Sequence, residues 1–357
     1  MTTSLGQAYI RSALLVFDML SGSSNTLIDI ITKPAIVETI SIPTSVGKVE
    51  ARLYRPNNTK RHPALILSLG YPSNIKDPQV YQLSEDLARL GFVILTPQLP
   101  GLVEGNLSQG DVNILVESFE WLSVQPQVDS MHVGFSGFCV GSSLALVASQ
   151  DVRIYDNVSI INVFGGYYDL IDYLRAVAAH SSLYQETEYP WEPAQQTVEL
   201  FAQNLLFLSN PEDREILRKY FQTAKDDQPT PTGLSPLGKT IFAILTTTDP
   251  TTVDSLLMQF PAEIITSMNA LSPEAGISRL KAKVFIMHDI SDPYVPITES
   301  YRLRDSITNP EQIVYAQFAL FEHVRPTRHL NKITLSKEAI RLIIYIGQLF
   351  NALPPKN

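Results

Sequence analysis

One cysteine, Cys139, stands in 357 residues. A lone thiol cannot close an internal disulfide, so folding makes no use of an oxidising compartment, and a cytoplasmic location is the expectation. Clusters of lysine and arginine are missing as well. The 36 acidic residues outnumber the 27 basic ones, for a formal charge of −9. A chain so balanced is repelled by phosphate backbones, which argues against nucleic acid as a partner. Long uninterrupted apolar runs are also absent. "YIRSALLVFDML" carries Arg11 and Asp18 and has neither the basic flank nor the cleavage site of a signal peptide. "AIRLIIYIGQLFNAL", residues 339–353, is too short to cross a bilayer and contains Arg341. Both read as packed amphipathic helices, and no membrane span is expected. Neither an internal repeat nor a low-complexity tract interrupts the chain.

What is present is an alternation. After a helical segment over about residues 4–31, "AIVETISIPT" and "VGKVEARLYRP" alternate apolar and polar residues, as an antiparallel pair of strands does. "HPALILSLG", "FVILTPQLPG", "MHVGFSG", "VSIINVFGG" and "AKVFIMHDI" are short apolar runs of the kind buried on both faces of a sheet, and "QIVYAQFALFEH" supplies a last strand. Between them lie helical patterns: "PQVYQLSEDLARLG" with Gly91 as its stop, "DVNILVESFEWLSVQ" with Asp111 as the expected N-cap, "VGSSLALVASQ" and "ESYRLRDSI". Strands alternating with helices predict a parallel sheet covered on both sides. The alternation breaks between about residues 167 and 277, where helical stretches such as "QQTVELFAQNLLFLSN", "PEDREILRKYFQTAK", "LGKTIFAILTT" and "VDSLLMQF" follow one another. The expected organisation is therefore an N-terminal helical segment (1–35), a sheet domain in two parts (36–166 and 278–357) and a helical insertion (167–277).

Cys139 falls where a buried strand meets a helix, in Gly137-Phe138-Cys139-Val140-Gly141. A sharp strand-to-helix turn forces its apex residue into strained dihedrals, and small residues at −2 and +2 keep Cβ atoms from colliding. The N-terminus of the helix favours negative charge, whether on a thiolate or on a developing oxyanion. Ser136, in Gly134-Phe135-Ser136-Gly137-Phe138, is the rival nucleophile, but no glycine follows it at +2.

The Gly137–Gly141 pentapeptide resembles the nucleophile elbow of the α/β-hydrolase superfamily, with cysteine in the place where most members carry serine; dienelactone hydrolases and polyhydroxyalkanoate synthases are similar in this respect. The resemblance covers about residues 36–166 and 278–352. It implies an α/β-hydrolase fold, with a mostly parallel sheet of about eight strands, helices on both faces, and the insertion as a cap. It also implies an acid and then a histidine after later strands. "His288-Asp289-Ile290-Ser291-Asp292-Pro293-Tyr294-Val295-Pro296" looks like the acid turn of the family, which makes Asp292 the acid, with Asp289 as a second carboxylate nearby. His323, just past the last strand, resembles the family's base in position; His329 lies beyond Pro326, and His288 is expected to pack beside the acid loop. His62, His132 and His180 lie outside the matched positions. Two N–H groups for the substrate oxygen are implied, those of Val140 and Tyr71; Pro72 has none to give.

The chemistry is coherent. A free thiol, with a pKa of about 8.5, is only a few per cent ionised at pH 7. A histidine in contact can take its proton, and an aspartate fixes the imidazole tautomer. The expectation is hydrolysis of an ester, lactone or thioester through an acyl-cysteine, with a small, largely apolar acyl substrate and neither cofactor nor metal. Acyl transfer to another acceptor, or a non-catalytic binding protein on the same fold, are the alternatives. Oligomeric state is left open.

Overall fold

The period of two in the buried strands decides the architecture. In the computed structural model, which describes residues 4–21, 27–222 and 231–354, helix α1 (Ser4–Ser21) and the short α2 (Leu27–Ile31) lead into β1 (Ile36–Thr44) and β2 (Gly47–Arg55). Next come β3 (His62–Ser68), α3 (Pro78–Arg89), β4 (Val93–Pro97), α4 (Pro100–Val103), α5 (Gln109–Ser123), β5 (Val128–Phe138), α6 (Val140–Ala148) and β6 (Val158–Phe164). Along β3, Ala64 and Ile66 face one core while Leu65 and Leu67 face the other. A strand apolar on both faces must be covered on both, and it is: α5 and α6 pack on the first face, and α1, α3 and C-terminal α14 (Lys332–Ala352) on the second.

The chain then leaves the sheet. Helix α7 (Leu170–Ala179), the hairpin β7 (Ser181–Tyr184) and β8 (Thr187–Pro190), and helices α8 (Gln195–Leu208), α9 (Pro211–Gln222), α10 (Pro236–Thr246), α11 (Pro250–Leu257) and α12 (Ala262–Ala270) precede its return at β9 (Lys283–Asp289). These helices bury a core of their own around Leu205, Leu217, Ile241 and Val253. Exit and return are tied together, since the Tyr167 hydroxyl donates to Leu271 O at 3.0 Å and the Leu170 amide to Ser272 Oγ at 2.9 Å. Part of the "PEDREILRKYFQTAK" helix expectation, residues 223–225, lies outside the described residues. Helix α13 (Thr298–Ser306) and β10 (Ile313–Phe318) complete the fold.

The eight strands run in the order β1-β2-β4-β3-β5-β6-β9-β10. The β1–β2 and β2–β4 pairs are antiparallel and the rest parallel. The carboxyl ends of β5, β9 and β10 therefore open on one edge of the sheet, and Cys139, Asp292 and His323 follow those three ends.

One expected cap is corrected. Ser108, not Asp111, caps α5, its Oγ accepting from the Asp111 amide at 3.1 Å. Asp111 instead serves the preceding helix, taking the amides of Gly101 and Leu102 at 3.1 and 2.9 Å. Both residues are good N-caps, and the turn of α4 just upstream offers Asp111 two amides that its own helix would supply only in part. No helix among the described residues is long and apolar enough to cross a membrane.

Candidate active site

Cys139 occupies the single residue between β5 and α6. Its backbone has φ 53° and ψ −144°, a region that a non-glycine residue enters at a cost of about 1–3 kcal/mol and keeps only when its surroundings over-determine it. They do so here. The Cys139 amide donates to Phe164 O at 2.8 Å, and its carbonyl accepts from the Ser142 amide at 2.9 Å and from Ser142 Oγ at 2.7 Å. The sulfur is left half-buried and without a role in capping the helix.

The glycines around it are required by contact. A Cβ on Gly137 would lie 2.2 Å from Ser142 Cα, and one on Gly141 2.2 Å from Leu69 O and 2.8 Å from Ser68 O. A third, Gly70, has no counterpart in the sequence reading: its Cβ would fall 2.5 Å from Cys139 Cβ and 3.3 Å from the sulfur. The loop after β3 can lie against the turn only because residue 70 lacks a side chain. Since the obstacle at Gly141 is backbone, Gly141→Ala is expected to destabilise the protein by about 3 kcal/mol, near the upper end for overpacking. Urea denaturation measures it, and a loss below about 1 kcal/mol would show that β3 and the turn separate easily.

Asp292 and His323 arrive from the far part of the sheet. Asp292 is in the loop after β9, where its Oδ1 accepts from the amides of Tyr294 and Val295 at 2.8 and 3.1 Å. Its Oδ2 lies 2.6 Å from His323 Nδ1. Burial would push this carboxyl up; the charge and hydrogen bond of His323, with a smaller effect of His288 and the Tyr294 amide, outweigh it and hold Asp292 below the usual carboxylate range. Asp289, the last residue of β9, is engaged elsewhere, its Oδ1 accepting from Arg328 Nη2 and from the Ser291 amide, each at 2.9 Å.

His323 follows β10 in a left-handed conformation, φ 61°. The Tyr294 ring lies against its imidazole, with centroids 4.7 Å apart. Burial alone would lower its pKa, but the nearby sulfur of Cys139 and the Asp292 carboxylate prevail and raise it to about 10. Its Nε2 is buried and has no hydrogen-bond partner among the described residues. The Cys139 sulfur is nevertheless near enough to favour the charged ring.

The other histidines have ordinary partners. His288 packs as expected: it is buried, held below its ordinary value by burial, and sits 2.9 Å from Val295 O through Nε2. His62 contacts Asn58 and Gly91 O, His132 contacts Asp129, His180 contacts Glu192, and His329 is exposed. Ser136, the rival, is buried in the sheet with its hydroxyl accepting from Asn162 Nδ2 at 3.1 Å.

Cys139, Val140, Tyr71 and His323 share the wall of one cavity of about 530 Å³. As the first residue of α6, Val140 has an amide that no preceding helical turn can accept. Tyr71 follows β3 and joins Pro72 through a cis peptide bond. Leu69, Val80, Leu83, Phe138 and Val324 are among the cavity's apolar lining, beside polar residues such as Asn74, Asp77 and Glu322. Tyr173 of α7 and Gln196, Thr197 and Leu200 of α8 also line it, residues whose part in the site nothing local in the sequence announces. Among the described residues no cluster of His, Cys, Asp and Glu is arranged to hold a metal ion. What the arrangement can do is move a proton between a thiol and an imidazole beside a pocket of acyl-group size.

Neither a family model nor a curated protein sequence matches this chain. Solved structures do. An acylaminoacyl peptidase in complex with Z-Gly-Gly-Phe-chloromethyl ketone superposes with a TM-score of 0.56 at 15% identity, covering 94% of this chain and 44% of that one. The acylaminoacyl peptidase of Pyrococcus horikoshii gives 0.53 at 14% identity over 93% and 44%. The esterase of Pyrobaculum calidifontis gives 0.51 at 15% identity over 96% and 91%. This chain thus spans less than half the length of the two peptidases and nearly all of the esterase. At these identities the likeness establishes the fold: the chain adopts the α/β-hydrolase fold, with its eight-stranded, mostly parallel sheet between helices.

Proposed function

We propose that the protein is a hydrolase of carboxylic esters, lactones or thioesters that works through an acyl-cysteine formed on Cys139. The observation that carries this reading is the 2.6 Å contact between His323 Nδ1 and Asp292, which leaves the opposite ring nitrogen unpartnered beside the chain's one thiol. His323 Nε2 takes the proton of Cys139. The thiolate attacks the substrate carbonyl carbon, and the oxygen, now negative, lies toward the amides of Val140 and Tyr71. Collapse expels the alkoxide or thiolate, which receives the proton held by His323. Water then gives a proton to the same nitrogen and attacks the acyl-cysteine, and the thiol departs with that proton restored. Asp292 stays ionised throughout and fixes the tautomer.

Residues 167–277 act as a cap on this reading. The support is that α7 and α8 supply one wall of the cavity. The apolar residues in its lining favour a largely apolar acyl or aryl group, whose burial contributes roughly 25 cal/mol per Å² removed from water. The acylaminoacyl peptidases and the esterase are named for bond-cleaving activities on the same fold, which agrees with hydrolysis without specifying the bond. Thiolates are good leaving groups, so activated esters and thioesters suit them better than amides. Turnover of p-nitrophenyl esters and acyl-CoA thioesters, with the matching p-nitroanilides as amide controls, tests the reading. Esters or thioesters are expected to react at least about a hundredfold faster than anilides, and a preference for anilides, or no turnover of any member, would count against it.

A further inference from the structure

Three consecutive carbonyls of the acid loop are held from outside by the inserted segment. Trp191 Nε1 donates to Asp292 O at 2.7 Å, the Ala194 amide to Pro293 O at 2.6 Å and the Tyr173 hydroxyl to Tyr294 O at 2.7 Å. On the inner side the same loop presents Asp292 to His323 and lays the Tyr294 ring on the imidazole. The loop is therefore clamped between the two parts of the chain.

The outer half of the clamp continues into the cavity wall. Ala194 is the N-cap of α8, and Gln196, Thr197 and Leu200 of that helix line the cavity. The far part of α8 is fastened as well: Gln203 Nε2 donates to Glu104 O at 2.9 Å and Asn204 Nδ2 to Gly105 O at 2.7 Å. A helix held near both ends transmits its position to whatever those ends touch, and its N-cap end, through the Ala194 amide, holds the carbonyl of Pro293, the residue after Asp292. Trp191 itself does not line the cavity, so its indole reaches the chemistry only through the loop.

We infer that Trp191, with Tyr173, is a positioning residue: by holding the carbonyls of the acid loop, the inserted segment keeps Asp292 on His323 while α8 is seated over the cavity. This rests on the Cys139–His323–Asp292 reading proposed above and adds to it that the cap takes part in aligning the acid with the base. Placement of a catalytic group is sensitive at the scale of 1 Å or less, so losing one such bond acts on the chemical step more than on binding.

Trp191→Phe keeps the ring and removes the N–H. Steady-state kinetics on the best ester are expected to show kcat lower by about five- to tenfold, as for one lost hydrogen bond, with KM within about twofold. In an Asp292→Asn background the same substitution is expected to cost less than about twofold, because the carboxylate it positions is gone. Tyr173→Phe, which deletes only a hydroxyl, repeats the test should Trp191→Phe fold poorly. An unchanged kcat in both variants, an equal loss with and without the Asp292 carboxylate, or a loss confined to KM would overturn the positioning role. Any of these outcomes leaves the hydrolase reading standing provided Cys139→Ala is inactive; an active Cys139→Ala would remove that reading instead.

Discussion

Replacing Cys139 with alanine is expected to lower kcat/KM for the best ester by at least about a thousandfold, the scale on which loss of a covalent nucleophile is felt when binding and oxyanion contacts remain. The size follows from the absence of a substitute. The chain has no second cysteine. Ser136 sits in the sheet, its hydroxyl bonded to Asn162, and Ser142 and Ser143 spend their hydroxyls on the carbonyls of Cys139 and Tyr167. None can move to the apex without dismantling the turn that Gly137 and Gly141 allow. Folding should be little affected, since the strained backbone is fixed by main-chain hydrogen bonds that alanine also makes. Circular dichroism and thermal melting would separate a folded, inactive variant from a collapsed one. A folded Cys139→Ala with wild-type turnover would end the covalent account.

The second large effect concerns His323. His323→Ala is expected to reduce kcat/KM by about a hundredfold or more at pH 7, within the usual range for removing a general acid–base. Its pH profile carries the sharper prediction. In the native protein burial disfavours the charged imidazole, yet the Cys139 sulfur and the Asp292 carboxylate raise it to about 10. On the proposed mechanism a proton that reaches the ring is held firmly there, and the imidazolium can stabilise a neighbouring thiolate. Without the ring no such partner exists, and the residual activity of the variant should climb tenfold per pH unit toward the range in which an unassisted thiol ionises, about 8.5. The wild type should vary far less between pH 6.5 and 9 on this account. A variant whose deficit is the same at pH 6.5 and pH 9 would show that His323 does not govern the ionisation of the sulfur.

The sheet and the elbow were readable from sequence because both depend on local rules. Continuous apolar runs such as "HPALILSLG" can be buried only on two faces, and Gly137 and Gly141 flank Cys139 for a steric reason confined to five residues. The antiparallel β1–β2 pair announced itself by alternating apolar and polar residues. Other parts depended on partners distant in sequence. The acid-turn resemblance pointed to Asp292, but what engages Asp289 was not legible, because its partner Arg328 lies 39 residues further on. Gly70 looks like any loop glycine until the turn around Cys139 is laid against it. The β7–β8 hairpin was not anticipated, for β8 is four exposed residues with no apolar face. Helix α7 was likewise hidden within a stretch read only as helix-rich, although Asp169 caps it through the amides of Ile171 and Asp172. Trp191 and Tyr173 contact the acid loop across 101 and 121 residues, a distance over which no pattern of composition or period carries information.

The most direct measurement is to quench the protein with acid during turnover of an ester, digest it, and locate the added acyl mass by peptide sequencing in the mass spectrometer. The account predicts that this mass sits on the sulfur of the peptide containing Gly137-Phe138-Cys139-Val140-Gly141, and that it accumulates when deacylation is slowed. Acyl mass on a serine, or brisk hydrolysis with the thiol unmodified at every time point under slowed deacylation, would contradict it.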